Sequence, residues 1–292
     1  QYSYTVSLAV ALCEGRITRL GRIWADGVEI AADQLSLRLY HGDETQLPDP
    51  KITTVEGAGN APSYRGIAYV VIEDLDLSRF GNRIPQFSFE VMRPAQGQAA
   101  QAHQGFDQII PGVCMIPGSG EYALATTPVH FNAGLGANTS ANVHTVSSRS
   151  DFSNALEALR EELPMAKGAS LVVSWFGSDL RCGLCQPQPK VEQNAQDGVP
   201  MPWVVSSTPR ATAAAVPLVQ GSPVYGGTPA DASVIEAIVA LKAAGREVTF
   251  YPFLLMDQMA GNALPDPWTG ALGQPALPWR GRITLSAAPG EK

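Results

Sequence analysis

Two aspartates sit where a sequence of this kind would place chemistry. Asp179 in SWFGSDLRCG and Asp257 in FLLMDQMA each follow an apolar run and open a long loop. In barrel enzymes the loops after the strands hold the site, and a facing carboxylate pair about 5 to 10 Å apart can hydrolyse a glycosidic bond. Aspartate at a strand end is also a turn former and a helix cap, so each position has a purely structural reading as well. Asp179 and Asp257 are the candidate catalytic residues, and neither is assigned a role from sequence alone.

Cys182 and Cys185 have the two-residue spacing that begins a zinc or iron-sulfur site. Such a site needs four ligands. Only Cys13, Cys114, His41, His103, His130 and His144 remain to complete it, with no second Cys-x-x-Cys and no closely spaced His pair. A thioredoxin-like pair would open a helix after a strand, whereas GLCQPQPK runs into prolines. The expectation is a loop pair, reduced or disulfide-linked, with no metal and no cofactor. GSGEY lacks the G-x-S-x-G frame of a nucleophile elbow, GLGANTS fails G-x-G-x-x-G, and no Walker A sequence occurs.

Trp24, Trp175, Trp203, Trp268 and Trp279 could form a sugar platform, or serve as core and interface anchors. Trp268, Trp279, Arg280 and Arg282 lie in the Pro-rich stretches NALPDPW and PWRGRI. They are interface candidates, the arginines being suited to carboxylates of a neighbouring chain. The alternative is a loop packed on its own domain.

The elements that must position these residues follow from periodicity. YSYTVSLAVAL alternates, and RLGRIWADGVEI holds Asp26-Gly27 at a turn, so together they look like a hairpin. LSLRLYHGD, GIAYVVIEDLDL and IPQFSFEVMRP continue the β pattern until Pro94. Residues 1–94 are expected to form a β-rich domain and 95–142 a connecting segment with short strands. From Ser150 the period becomes helical: DFSNALEALREELP, capped by Ser150 or Asp151, precedes the strand ASLVVSW. DASVIEAIVALKAAGREVTFYPFLLMD repeats that order, with Asp231 expected as cap and Gly245 as terminator. The strand at 170–175 is read as the first of a parallel α/β layer spanning 143–292. The fold class expected is α+β overall, a mostly β domain followed by an α/β segment.

Composition narrows the function classes. Net charge is −7 with no run of Lys or Arg, so the electrostatic footprint of nucleic-acid binding is missing. No apolar run approaches the roughly 20 residues of a membrane-spanning helix. Charged residues make up 16% of the chain, against roughly 25% in average soluble proteins, and the 28 glycines and 23 prolines predict many turns and irregular connections. Four unevenly placed cysteines do not make a disulfide scaffold, which fits assembly in a reducing cytoplasm. The chain starts at Gln1 without an initiator Met and is read as a piece of a longer polypeptide.

Several long, ordered segments carry a resemblance. YSYTVSLAVALCEGRITRLGRIWADG, VEGAGNAPSYRGIAYVVIEDLDLSRFGNRIPQFSFEV, IPGSGEYALAT, SLVVSWFGSDLRCG, VYGGTPADASVIEAIVALKAAGREVTFYPFLLMD and GNALPDPWTG with PWRGRITLSAAPG resemble the baseplate "megatron" tail-tip protein of gene transfer agents and related siphophages. The resemblance implies a virion structural protein, assembled in the host cytoplasm: a homotrimeric hub closing the distal end of the tail tube. It would contact a distal tail protein, a smaller hub protein, and fibre or receptor-binding modules, and help deliver DNA. It also implies that residues 143–292 open a TIM-barrel-like domain of glycoside-hydrolase type, incomplete here. The alternative function is therefore a glycoside hydrolase acting on envelope polysaccharide.

Overall fold

The computed structural model of the protein describes residues 4–97, 105–116, 120–132, 134 and 136–285. The fold is mixed α+β with sheet predominating. Two compact units divide the chain, one of Gln1–Ile110 with Thr145–Ser147 and Glu157–Met165, the other of Pro111–His144, Ser148–Leu156 and Ala166–Lys292.

The first unit holds two antiparallel three-stranded sheets. One has the order β1 (Thr5–Glu14), β5 (Ile67–Asp76), β4 (Leu37–His41); the other β3 (Val28–Ile30), β2 (Arg19–Ala25), β6 (Phe87–Met92). Ile23 from one sheet and Ile72 and Leu75 from the other share a core with Leu35 and Leu77, and Phe87 and Phe89 pack against it. The expected turn at Asp26-Gly27 is present, with φ of 50° and 80°, and joins β2 to β3. Two consecutive positive φ values match the twist of the flanking strands, which is why Asp-Gly suits the turn.

The first segment does not join that hairpin, however. β1 pairs with β5, Leu8 opposite Ile72 and Val10 opposite Val70. The connector after β1 explains the difference. Gly15 N–H donates to Gly66 O, Ile17 N–H to His41 O and Thr18 N–H to Met92 O, at 2.7 to 2.9 Å. Its backbone groups are satisfied by three other parts of the unit, and they carry the chain from one sheet to the other. A short helix, α1 (Pro50–Glu56), was not legible as a periodic pattern. Its start follows a local rule: Asp49 caps it by accepting from Lys51 and Ile52 N–H, and Pro50 takes the first turn.

The second unit is built on a parallel sheet of order β9 (Glu247–Met256), β8 (Gly168–Gly177), β7 (Gly112–Met115). Helix α2 (Asp151–Glu162) lies in the chain between β7 and β8, and α3 (Asp231–Ala243) between β8 and β9. The strand expected to open the layer is thus its centre, because a shorter strand within PGVCMI pairs with Gly168–Leu171. Among the described residues the sheet stays open and closes no barrel.

Alternation along β8 assigns its faces. Ala169, Leu171 and Val173 pack with Phe152 and Leu156 of α2 and with Val234, Ala237 and Leu241 of α3. Both helices therefore cover one face. On the other, Phe176 is fully buried and lies 6.3 Å from the ring of Tyr225 in the long excursion after β8. Ser150 caps α2 by accepting from Ser153 N–H at 3.2 Å. Asp231 does not cap α3: the cap position is Ala230, and the Asp231 carboxylate, one residue inside, accepts from Ser206 N–H. Gly245, at φ 74°, follows the end of α3 as expected.

Candidate functional site

The C-terminal ends of β8 and β9 bring Asp179 and Asp257 to the same end of the sheet, since Gly177 is paired with Met256 in register. Asp179 is 4% exposed. Its Oδ1 accepts from Arg181 N–H (2.8 Å), Arg181 Nε (3.0 Å) and Gln274 Nε2 (2.8 Å), and its Oδ2 from Arg181 Nη2 (2.6 Å). Burial pushes this carboxyl up, but the hydrogen bonds from Arg181 and Gln274 outweigh it and hold the group below the usual aspartate value. Asp257 is 5% exposed and accepts from Lys190 Nζ at 2.6 Å. Lys190 also lies 5.9 Å from the Phe176 ring. Each strand-end carboxylate is thus matched to one cation of its own chain.

A second charged cluster, spread over ninety residues of sequence, lies deeper. Arg210 is 3% exposed and pairs with Glu121 through both Nη1 and Nη2. Its Nε donates to Asp197 at 2.9 Å, Nη1 to Gln193 O at 2.7 Å, and Nη2 also to the Tyr122 hydroxyl at 3.1 Å. The rings of Trp203 and Phe131 flank the guanidinium at 5.8 Å each. Burial works against this charge, yet the bonds to Glu121, Asp197 and Tyr122 hold the guanidinium above its ordinary value. Burial likewise pushes Tyr122 up to about 12. Asp197 Oδ1 additionally accepts from Gly198 and Trp203 N–H, both at 2.8 Å. The cluster gathers the excursion of residues 186–230 around one buried cation. No spacing rule in the sequence marks it, because Glu121, Asp197 and Arg210 come from three separate loops.

A scan against protein-family models gives no match, and a search of curated proteins gives none either. Among solved structures the chain is similar to one from the virion of a native gene transfer agent (GTA) particle. The two are 60% identical over 40% of this chain and 27% of that one, with a TM-score of 0.37. The match thus spans well under half of that chain's length.

The remaining candidates are dispersed. Cys182 is exposed and Cys185 half-buried in the loop after Asp179, while Cys13 lies on β1 and Cys114 on β7. Among the described residues no three His, Cys, Asp or Glu side chains are grouped to hold a metal. His41 lies on β4, His130 is paired in a small sheet with Ser140, and His144 Nδ1 lies 2.6 Å from Asp151 Oδ2. His103 falls outside the described residues.

Trp203 is fully buried, its indole N–H donating to Thr228 O at 2.8 Å. Trp268 donates to Arg282 O at 2.7 Å, and the Arg282 guanidinium lies 5.7 Å from the Trp268 ring and 3.7 Å from the Asp266 carboxylate. Arg280 stacks 3.9 Å from the Phe253 ring. Both arginines thus have contacts within their own chain. Trp279 stays 69% exposed.

Proposed function

We propose that the chain is a structural component of a phage-like particle: a tail-tip or baseplate hub that closes the distal end of the tail tube, carries fibre or receptor-binding modules and helps DNA delivery. In this reading it acts as a homotrimer in the virion, against a distal tail protein and a smaller hub protein, after assembly in the host cytoplasm. The observation that carries the choice of a structural role over a catalytic one is the state of Asp179. A general acid in glycoside hydrolysis needs a protonated carboxyl, held so by a raised pKa, and the nucleophile or base needs a carboxylate oxygen open to the sugar or its water. Asp179 instead has both oxygens occupied by Arg181 and Gln274, and its carboxyl is held down. Asp257 is buried and accepts from Lys190 through Oδ2.

The tail-tip assignment itself is supported by the long segments of sequence that resemble the megatron family. The gene transfer agent particle that contains the 60% identical chain supports the coarser part of the reading, a component of a phage-like particle. The test is to image intact particles carrying a small tag on this chain. Three copies around the tail axis at its distal end are expected; density in the capsid, or a single copy off the axis, rejects the hub.

The position of Asp179 and Asp257 on neighbouring strand ends favours a second reading, a glycoside hydrolase acting on envelope polysaccharide. Asp179→Asn and Asp257→Asn particles separate the two. Unchanged polysaccharide release by both is the structural outcome, and loss of release by either variant with normal particle assembly is the enzymatic one.

A further inference from the structure

The loop that leaves β8 holds its two cysteines on a single turn. The N–H groups of Leu184 and Cys185 both donate to Arg181 O at 2.9 Å, which winds Cys182 to Cys185 into one helical turn. The loop is pinned on each side. Phe176 and Gln188 exchange backbone hydrogen bonds at 2.9 and 2.8 Å, Gln186 N–H donates to Ser178 Oγ at 3.0 Å, and Cys182 N–H donates to Thr284 O at 2.6 Å. Cys185 Sγ is lodged against the backbone of Gly177, where an added Cβ would lie 3.0 Å from the sulfur. Cys182 is exposed.

Residues three apart on such a turn have Cβ atoms about 5 to 6 Å apart, and a disulfide needs about 3.5 to 4.5 Å. Tightening by an ångström or so closes that gap. The space beside the turn is open, since a Cβ added at Gly183 would meet nothing within 4 Å. No third ligand is grouped with the pair among the described residues, so nothing there competes for the thiolates as a metal site would.

We propose that Cys182 and Cys185 are a reversible dithiol–disulfide site, oxidised by a low-molecular-weight disulfide such as oxidised glutathione. The exposed Cys182 thiolate attacks one sulfur of the glutathione disulfide, forming a mixed disulfide and releasing one glutathione thiolate. The Cys185 thiolate then attacks Cys182 Sγ, closes the intramolecular bond and expels the second glutathione. The two protein thiols lose two electrons and two protons, and one glutathione disulfide is reduced to two thiols. An exposed disulfide that forms only by tightening a turn is readily reduced again, which makes the step reversible. Cys114, also exposed, sits on β7 opposite Ser170 of β8 and is a separate position for a glutathione adduct. The site goes beyond the tail-tip reading and stands whether or not that reading holds.

The test uses a Cys13→Ser, Cys114→Ser variant, which leaves only the pair. After incubation with oxidised glutathione and an acid quench, thiols are counted and the peptide spanning Ser170 to Lys190 is mapped by mass spectrometry. Both thiols should be lost, with an internal disulfide, no retained glutathione, and full recovery in dithiothreitol. Adding Cys185→Ser should trap one glutathione on Cys182. Two surviving thiols overturn the proposal, as does a stable glutathione adduct on Cys182 while Cys185 is present, or cross-links only between molecules. The same mapping on the wild-type chain gives the answer where the variant fails to fold, because it distinguishes this pair from adducts on Cys114.

Discussion

Lys190 Nζ lies 2.6 Å from Asp257 Oδ2, with side-chain exposures of 13% and 5%. The pair ties the start of the long excursion to the end of β9 and neutralises a carboxylate that the fold has withdrawn from water. A buried charge that loses its partner keeps its desolvation cost without the compensating attraction. Lys190→Met should therefore destabilise the chain by about 3 to 5 kcal/mol, measured by urea unfolding. Lys190→Met combined with Asp257→Leu should recover a large part of that loss; a double variant as unstable as the sum of the two singles would show that the pair is not coupled.

Arg210 is held by Glu121, Asp197, Tyr122 and the Gln193 carbonyl. Lysine has the charge but not the planar fork that reaches all four. Arg210→Lys should thus be destabilised almost as much as Arg210→Met, on the order of 3 kcal/mol or more. It should also speed proteolytic cleavage within residues 186–230, which limited digestion reads directly. Wild-type resistance in Arg210→Lys would mean that the excursion is held by other contacts.

Asp49 offers a pH signature. Its side chain is fully buried, which alone would push the carboxyl up, but hydrogen bonds from Arg38, Tyr40 and the first turn of α1 bring it down to about 2 from 3.8. A lowered acid contributes stability that is full above the unfolded value and is lost as pH falls through the folded one. The loss should run from about pH 4 to about pH 2 and amount to about 2 kcal/mol. Acid titrations monitored by circular dichroism should show this component in the wild type and not in Asp49→Asn, which should already be less stable at neutral pH.

The two exposed tryptophans near the end of the chain should behave differently. Trp268→Phe loses the bond to Arg282 O and should cost about 1 kcal/mol. Trp279, with most of its ring in water, makes Trp279→Ala nearly neutral for folding, within about 0.5 kcal/mol. Should Trp279 anchor a contact between copies, Trp279→Ala will lower self-association in sedimentation experiments while leaving the melting curve unchanged.

The helices and strands that follow a strict period were legible because burial of one face imposes it. DFSNALEALREE and DASVIEAIVALKA are helices, and the strands flanking them are parallel, as alternating helix and strand patterns demand. The Asp26-Gly27 turn was legible from the left-handed backbone it needs. The cap of α3 was not. Ala230 occupies the cap position, and Asp231 is drawn instead to the backbone of Ser206, a partner 25 residues away.

By itself the sequence determined the types of the long periodic elements, the α+β class and the placement of Asp179 and Asp257 at strand ends, because periodicity, glycine stops and apolar runs act over a few residues. The partner of β1 was decided only in three dimensions. β1 leaves its neighbour for β5 because the connector at Gly15–Thr18 satisfies its backbone on distant strands. The tertiary structure also decided what the aspartates are. Arg181 and Gln274 close around Asp179, Lys190 closes around Asp257, and Arg210 draws the segments of Glu121 and Asp197 onto its own. Arg181 is only two residues from Asp179, but Gln274, Lys190 and Glu121 meet their partners from 95, 67 and 89 residues away, and local sequence carries no record of such distances.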